Sequence, residues 1–470
     1  MNAIRHHTHT VKVMPFTRIV ATVGPSSSTP EILRGMVGAG VDVFRVNCSH
    51  ISTEELAVTI TALRQAVPSA GILVDIQGPK LRTGPRELVL VPGETLRLGK
   101  DDLSFDPAAL GIRPGESVLL GDGTFRLEVA GIDLHGMLVR VLTGGTCLPR
   151  RGVNLPDTEL RIEGGLLGEK DRADILAARD AGADWLALSF VGTADDVRDA
   201  RKLAGDMRIV AKIERQQALE NLEEIGEAAD GLMAARGDLG VELPFENVPL
   251  AQQRIAEWGL RSGKVTICAT EMLESMRTAS RPTRAEVSDV AGAVTQGYGA
   301  VMLSAETATG NDPVNVVATM RSICAANETF TGHKTYADAN PAESAVAAAA
   351  AALAKRTDAR HILALTYTGF SAEIISACRP PALIVAATPG LATARRLRLH
   401  WGVEPIVVPR DPDMSVAVDD AAREAVRAGL ITVGEQIVVA ASRLHPRTPS
   451  DTIWTYTAGE AETELPESRS

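Results

Sequence analysis

Aromatic residues are scarce in this chain, at 3% of 470 residues, so it offers few flat rings on which nucleic-acid bases could stack. Positive charge is in deficit: 48 Lys and Arg against 59 Asp and Glu give a formal net charge of -11. That balance disfavours nonspecific attachment to DNA, RNA or anionic lipid, and it confines recognition of a small polyanion to a local group of cations or a bound metal. Cysteine is limited to five widely spaced residues with no Cys-x-x-Cys pair, which argues against a disulfide framework and for reduced thiols in the cytoplasm. Long apolar runs are missing too. The alanine-rich stretch from Ala345 to Ala354 is too short and too weakly apolar to span a bilayer and reads as a packed helix. The opening MNAIRHHTHTVKVMPF lacks the apolar centre of a secretory signal, and its His6, His7 and His9 read as a solvated leader before they read as metal ligands.

What is present is the composition of a water-exposed globular chain, 45% hydrophobic and 23% charged. Its length exceeds a single core, so two or three domains are expected. From Thr17 short β-branched apolar runs alternate with helical patterns. The runs are TRIVATVG (17 to 24), VDVFRVNC (41 to 48), ILVDIQG (72 to 78), WLALSF (185 to 190), RIVAKIE (208 to 214), GLMAAR (231 to 236), VTICAT (265 to 270) and AVMLSAE (300 to 306). Helical patterns follow at Pro30 to Val37, Glu54 to Ala66, Lys170 to Ala181, Ala194 to Leu203, Ala218 to Ala228, Leu250 to Arg261, Arg284 to Gln296 and Pro313 to Ala326. Eight strand-then-helix units in series predict a (β/α)8 TIM barrel over 17–84 and 163–330.

One connection breaks the rhythm. Between the third strand and its helix, residues 85–162 carry short alternating runs such as ETLRLG, FRLEVAGI and MLVRVLTGG, punctuated by Gly, Pro and Asp. They predict an inserted small β-barrel domain capping the barrel mouth. Residues 331–470 predict a C-terminal three-layer α/β domain. It is built on the strands HILALTY, ALIVAAT, EPIVV and EQIVVAAS, with a frayed acidic tail, TAGEAETELPESRS.

Chemistry in such barrels gathers where strands end and βα loops begin. The polar residues placed there are Arg45, Asn47, Ser49, Asp75, Arg82, Ser189, Lys212, Glu214, Arg236, Asp238, Thr270, Glu271, Ser304 and Glu306. In an extended strand Lys212 and Glu214 share one face while Ala211 and Ile213 take the other. A Lys-x-Glu pair taken alone reads first as a salt bridge. Converging with the rest, it forms one wall of a charged site in which Glu214 and Asp238 offer hard oxygen ligands to Mg2+. Lys212 then sets a point charge beside the same bound anion, and the backbone amides of Gly237 and Asp238 add donors for a carboxylate. The set suits a phosphorylated carboxylic acid better than a sugar.

The motifs ATVGPSS (21 to 27), FRVNCSH (44 to 50), DIQGPKLRTG (75 to 84), LGDG (120 to 123), GVNLP (152 to 156), GEKD (168 to 171), LSFV (188 to 191), VAKIE (210 to 214), AARGDLGVELP (234 to 244), ICATEMLESM (267 to 276), RPTRAEVSDVAGAV (281 to 294) and MLSAETATG (302 to 310) resemble those of the pyruvate kinase family. They do so in order and in spacing, over essentially the whole chain. The resemblance implies transfer of the phosphoryl group of phosphoenolpyruvate to ADP, giving pyruvate and ATP, with Mg2+ or Mn2+ on Glu214 and Asp238. It implies that Lys212 and Arg45 attend the phosphoryl group, and that Thr270 with the Gly237 and Asp238 amides holds the substrate carboxylate. Asn47, His50 and Arg82 fall on the nucleotide side, and a proton reaches the enolate through water near Thr270 and Ser304. It further implies a homotetramer, and a monovalent cation position at Asn47, Ser49, Asp75 and the carbonyl of Ile76.

Departures from the family pattern carry information. Position 80 is Lys where potassium-dependent members have Glu, so a fixed ammonium stands in for the cation and K+ is not expected to be required. Glu271 and Ala305 replace the usual Gln and Gly. In the C-terminal domain Thr366, Thr368, Gly369 and Ser371 follow a strand and open a helix, where related enzymes cradle an effector phosphate, of a sugar or of a nucleotide; a plain helix cap is the alternative. Tyr367 and Phe370 replace basic residues there, and SRLHPRTPSDT lacks the glycines of the corresponding loop. Two other readings stand beside this one: a different Mg2+-dependent barrel enzyme acting on a pyruvate enolate, such as an aldolase or lyase, and a catalytically silent regulatory paralogue.

Overall fold

The computed structural model describes residues 16–158, 165–328, 335–340, 342, 344–442 and 450–459. The leader histidines, most of the SRLHPRTPSDT loop and most of the acidic tail lie outside them. The chain divides into two compact units: one is Ile19–Leu260 with Lys264–Met320, and the other comprises Arg321–Ser470, Arg261–Gly263 and the segment ending at Arg18.

The first unit begins with three barrel strands, β1 (Arg18–Thr22), β2 (Val43–Asn47) and β3 (Gly71–Asp75). The chain then leaves the barrel to build the cap from β4 (Leu88–Leu90), β5 (Thr95–Leu98), β6 (Ser117–Leu120), β7 (Phe125–Asp133), β8 (Gly136–Val141), β9 (Gly145–Cys147) and β10 (Val153–Asn154). It returns through β11 (Trp185–Leu188), β12 (Arg208–Ile213), β13 (Gly231–Ala235), β14 (Val265–Ala269) and β15 (Ala300–Leu303). The barrel closes in the order β1-β15-β14-β13-β12-β11-β3-β2. Seven of its strands are buried along nearly their whole length, the mark of parallel strands covered on both faces. β2 departs from that: Arg45 and Asn47 are only half-buried because they point into the site.

Local chemistry fixes the outer helices. Ser52 and Glu55 form a capping box at the start of Thr53–Ala66, and Thr283 with Glu286 does the same for Arg284–Gln296. Gly297, in the left-handed region at φ 95°, ends the latter. The helix expected over Ala218 to Ala228 is instead two pieces, Gln216–Glu220 and Leu222–Ala228. They part at Asn221, whose side-chain amide donates to the carbonyl of Gly192.

The cap folds as a five-stranded antiparallel sheet, β10-β6-β7-β8-β5, with the ribbon β4-β9. Both close over one core that includes Leu90, Leu98, Val118, Leu127, Val139 and Cys147. The second unit holds β16 (His361–Leu365), β17 (Leu383–Thr388), β18 (Val403–Val407), β19 (Gln436–Ala441) and β20 (Thr452–Thr457) in the order β18-β17-β16-β19-β20. Four strands are parallel and β20 pairs antiparallel with β19. The alanine-rich helix is present as Ala345–Arg356, and a helix at Met414–Arg427 covers the sheet with Val418, Ala421, Ala422 and Ala425.

Candidate active site

Lys212, near the end of β12, is almost fully buried, and its ammonium is the hub of the site. Nζ lies 2.8 Å from Glu214 Oε1 and 3.2 Å from Asp75 Oδ1, and it donates to Ser189 Oγ at 2.8 Å. Ser189 in turn donates to the carbonyl of Ile76 at 2.7 Å. Asp75 receives Arg45 Nε on its other oxygen at 2.7 Å, and Arg45 Nη1 reaches Thr22 Oγ1 at 3.0 Å. Burial works against the charge on Lys212, but Asp75 and Glu214 outweigh it and hold its pKa above the usual lysine range. Burial likewise pushes Asp75 up, and Lys212 with Arg45 more than reverses this, so that carboxyl stays below its ordinary value.

Glu214 differs. It is 1% exposed, and burial, reinforced by Asp238, raises its pKa to about 7 against the pull of Lys212. Its Oε2 accepts the Phe190 amide at 2.6 Å, whereas Oε1 is buried with no hydrogen-bond donor among the described residues, Lys212 approaching it without hydrogen-bond geometry. A buried carboxylate oxygen without a donor, beside Asp238 on a common cavity wall, fits a hard divalent cation that takes two protein carboxylates and completes its shell with substrate oxygens and water. That cavity of about 190 Å³ is lined by Arg45, Asn47, Ser49, Asp75, Lys80, Ser189, Lys212, Glu214, Asp238 and Thr270 among others. Its three cations and three carboxylates balance. A bound divalent ion would leave it net positive and matched to a phosphorylated carboxylate.

Thr270 follows β14 in the left-handed region, and its Oγ1 accepts the Gly237 amide at 2.8 Å. The expected substrate amide is thus engaged by the neighbouring hydroxyl in this state. Arg236 ends no strand: β13 stops at Ala235, and Arg236–Glu242 is a short helix carrying Gly237 and Asp238 in its first turn. Ser304 does not line the cavity. Its Oγ is buried with no partner among the described residues, behind a backbone amide held by Glu306 at 2.6 Å.

Of the monovalent-cation residues, Asn47, Ser49 and Asp75 line this cavity. Asn47 ends β2 with Ser49 in the turn that follows, Asp75 ends β3 with Ile76 next in the chain, and Lys80 Nζ reaches Ser49 Oγ at 3.3 Å. Burial draws the Lys80 pKa down, Asp238 opposing it. Beyond Lys80 a second cavity of about 190 Å³ runs between cap and barrel, lined by Lys80, Arg82, Asp122, Arg150, Arg151, Arg215, Asp238 and Glu242 among others. Five cations against three carboxylates suit the phosphates of a nucleotide. Arg82 lines this cavity, while exposed His50 lines neither cavity.

Arg150, Arg151, Arg215 and Glu242 were not singled out from sequence. The Arg-Arg pair directly before GVNLP was the available signal for the first two. Arg215 donates to the Thr158 carbonyl at 3.0 Å, and Glu242 accepts from the Asn154 side chain at 3.0 Å, so this pair fastens the end of the cap to the barrel. In the second unit Thr366 Oγ1 accepts the Gly369 amide at 3.0 Å, Gly369 has φ 100°, and Ser371 is buried in the helix Phe370–Ala377. Thr368 Oγ1 meets the Phe370 amide at 3.5 Å. Thr366 and Thr368 thus turn to the loop's own amides, while the helix's cap residue, Gly369, brings no side-chain cap.

The sequence matches the family models described as pyruvate kinase, barrel domain, over residues 14–317, and pyruvate kinase, alpha/beta domain, over residues 344–452. It is 42% identical over 448 residues to a pyruvate kinase of Methylorubrum extorquens, covering 90% of this chain and 93% of that one. It is 41% identical over 446 residues to one of Agrobacterium vitis, covering 90% and 94%. The structure superposes on the crystal structure of a pyruvate kinase from Cryptosporidium parvum with a TM-score of 0.88 at 31% identity, covering 94% of this chain and 96% of the other. With a closed eight-stranded barrel and an α/β C-terminal unit matching the family's two models, the chain belongs to the pyruvate kinase family of phosphotransferase enzymes.

Proposed function

We propose that this enzyme uses a divalent cation, Mg2+ or Mn2+, to move the phosphoryl group of phosphoenolpyruvate to ADP, and that it does so without K+. The supporting observation is the single cavity that brings Lys212, Arg45, Glu214, Asp238 and Thr270 together at the strand ends. Glu214 and Asp238 would hold the metal, which would supply positive charge against the charge developing on the substrate. Lys212, kept protonated by Asp75 and Glu214, sits where charge develops on the phosphoryl oxygens and on the enolate. Arg45 orients the phosphoryl group from the β2 side, and Thr270 with the Gly237 amide receives the carboxylate. The bond from phosphorus to the enol oxygen breaks, a bond to a terminal ADP oxygen forms, and the enolate takes a proton at carbon to give pyruvate. A loose in-line transfer asks the protein mainly for positioning and fixed charge.

Lys80 carries the potassium reading: its ammonium already donates to Ser49, one of the residues that would otherwise coordinate a monovalent cation. The Thr366–Ser371 loop as a sugar-phosphate or nucleotide effector site, a homotetrameric assembly and a cytoplasmic location follow from the family resemblance. An aldolase or lyase would have no use for the arginine-lined cleft under the cap. A lactate-dehydrogenase-coupled assay with phosphoenolpyruvate, ADP and Mg2+ tests the proposal; no pyruvate formation sinks it.

A further inference from the structure

Thr270 and Glu271 stand consecutively in the left-handed region, at φ 71° and 53°. For a β-branched residue this is an outlier, and it persists only where the surroundings over-determine it. The surroundings here converge on one side chain. Arg236 Nε donates to the Ala269 carbonyl at 3.1 Å and Nη2 to the Thr270 carbonyl at 2.6 Å. Nη1 donates to Asp289 Oδ1 at 2.6 Å and to Gln252 Oε1 at 3.3 Å. Asp289 lies on the box-capped helix Arg284–Gln296. Gln252 lies on the helix Val248–Ser262, where its amide donates to Gln296 at 2.7 Å and its carbonyl accepts the Tyr298 hydroxyl at 2.7 Å. The guanidinium is therefore anchored to two outer helices and grips both carbonyls that flank the strained residue. Arg236 also directly precedes Gly237, whose amide meets Thr270 Oγ1.

The geometry points to Arg236 as a positioning residue: it clamps Thr270 in its left-handed conformation and so sets the Thr270 hydroxyl and Gly237 amide at the end of the cavity that receives the substrate carboxylate. This rests on the carboxylate role given to Thr270 and Gly237 above. A planar fork with five donors can serve two carbonyls and a carboxylate at once; a lysine, donating from one point, cannot. The clamp acts on ground state and transition state alike, so its loss appears in KM for the acid and not in KM for the nucleotide.

The test is Arg236→Lys with kinetics for both substrates and a crystal structure. Losing the charged hydrogen bonds to the loop raises KM for phosphoenolpyruvate by about tenfold or more, leaves KM for ADP near wild type, and shifts Thr270 out of its positive φ. Asp289→Asn, which weakens the anchor while keeping the arginine, shows the same split at smaller size and serves where the lysine variant folds poorly. Equal shifts in both KM values or an unmoved Thr270 backbone would each overturn the clamp. A wild-type enzyme inert toward phosphoenolpyruvate and ADP sinks the functional reading instead, and the variant's crystal structure still decides the clamp.

Discussion

If the proposed K+ independence rests on Lys80, replacing Lys80 by glutamate should make the enzyme need potassium. The ammonium sits against Ser49, on the wall shared by the metal-side cavity and the arginine-lined cleft. A unit charge acting over roughly 6 Å, at an effective dielectric of about 20, contributes on the order of 3 kcal/mol. That is roughly a hundredfold in rate, at about 1.4 kcal/mol for each factor of ten. Lys80→Glu removes the charge and adds the opposite one, so turnover in a buffer free of sodium and potassium should fall by about 10²-fold or more. The carboxylate introduced by that substitution, with Asn47, Ser49, Asp75 and the Ile76 carbonyl, then offers a K+ ion the shell that the ammonium had occupied. Saturating KCl should return at least about tenfold of the lost rate. The assay is coupled pyruvate formation with a large organic cation as counter-ion. Strong K+ activation of the wild type, or a variant that runs at the wild-type rate without K+, would refute the charge-replacement reasoning.

Three further outcomes are expected. Lys212→Met should lower kcat by about 10²-fold to 10³-fold. It should also cost about 3–5 kcal/mol in urea unfolding, because it leaves the buried Glu214 carboxylate without its cation and Asp75 with Arg45 alone; near-normal turnover counts against the site. Because burial raises Glu214 to about 7 from an ordinary 4.5, its contribution to metal-free stability is fullest below 4.5 and is lost as pH rises toward 7. Divalent metal must displace that proton, so Mg2+ affinity should weaken by about tenfold per pH unit below neutrality. Calorimetric titrations in two buffers of different ionisation heat check this, and heats independent of buffer at mildly acidic pH would contradict it. Asn154→Ala leaves a buried Glu242 oxygen without its donor and should destabilise the protein by about 1–3 kcal/mol while loosening the cap, read as faster proteolysis within residues 85–158. Unchanged proteolysis would mean that the Asn154 contact does not fasten the cap.

Much of the barrel was legible because its signals are local. Each strand is a short apolar run, several outer helices begin at a capping residue such as Thr29, Ser52 or Thr283, and the two-residue repeat of an extended chain suffices to put Lys212 and Glu214 together. The expected strand through Arg236 fails by one residue for a physical reason: its guanidinium is needed by Ala269 and Thr270, and the chain turns into a helix to deliver it. Nothing in ICATEM signals that Thr270 is left-handed, since Thr ordinarily favours extended backbone. The Arg215 and Glu242 fastening was invisible because its partners, Thr158 and Asn154, lie 57 and 88 residues away in sequence. β20 escaped for a different reason: as an edge strand it is half-buried at best along TIWTYT and shows no apolar run. The helix Met414–Arg427 did carry a readable stripe, at Val418, Ala421, Ala422 and Ala425, diluted by the small size of alanine.

The five buried cysteines, none of them in a disulfide, are spread across the molecule: Cys147 in the cap, Cys48 and Cys268 in the barrel, Cys324 and Cys378 in the second unit. Burial raises Cys268 to about 12 and Cys378 to about 11, and raises Cys48 and Cys147 as well. While the fold is closed these thiols are therefore poor nucleophiles. A thiol reagent can consume each one only as its own surroundings open, at a rate set by that local equilibrium. The chain thus carries native reporters of how the cap, the barrel and the second unit breathe, and peptide mass analysis of one labelling time course separates the three without introducing a probe.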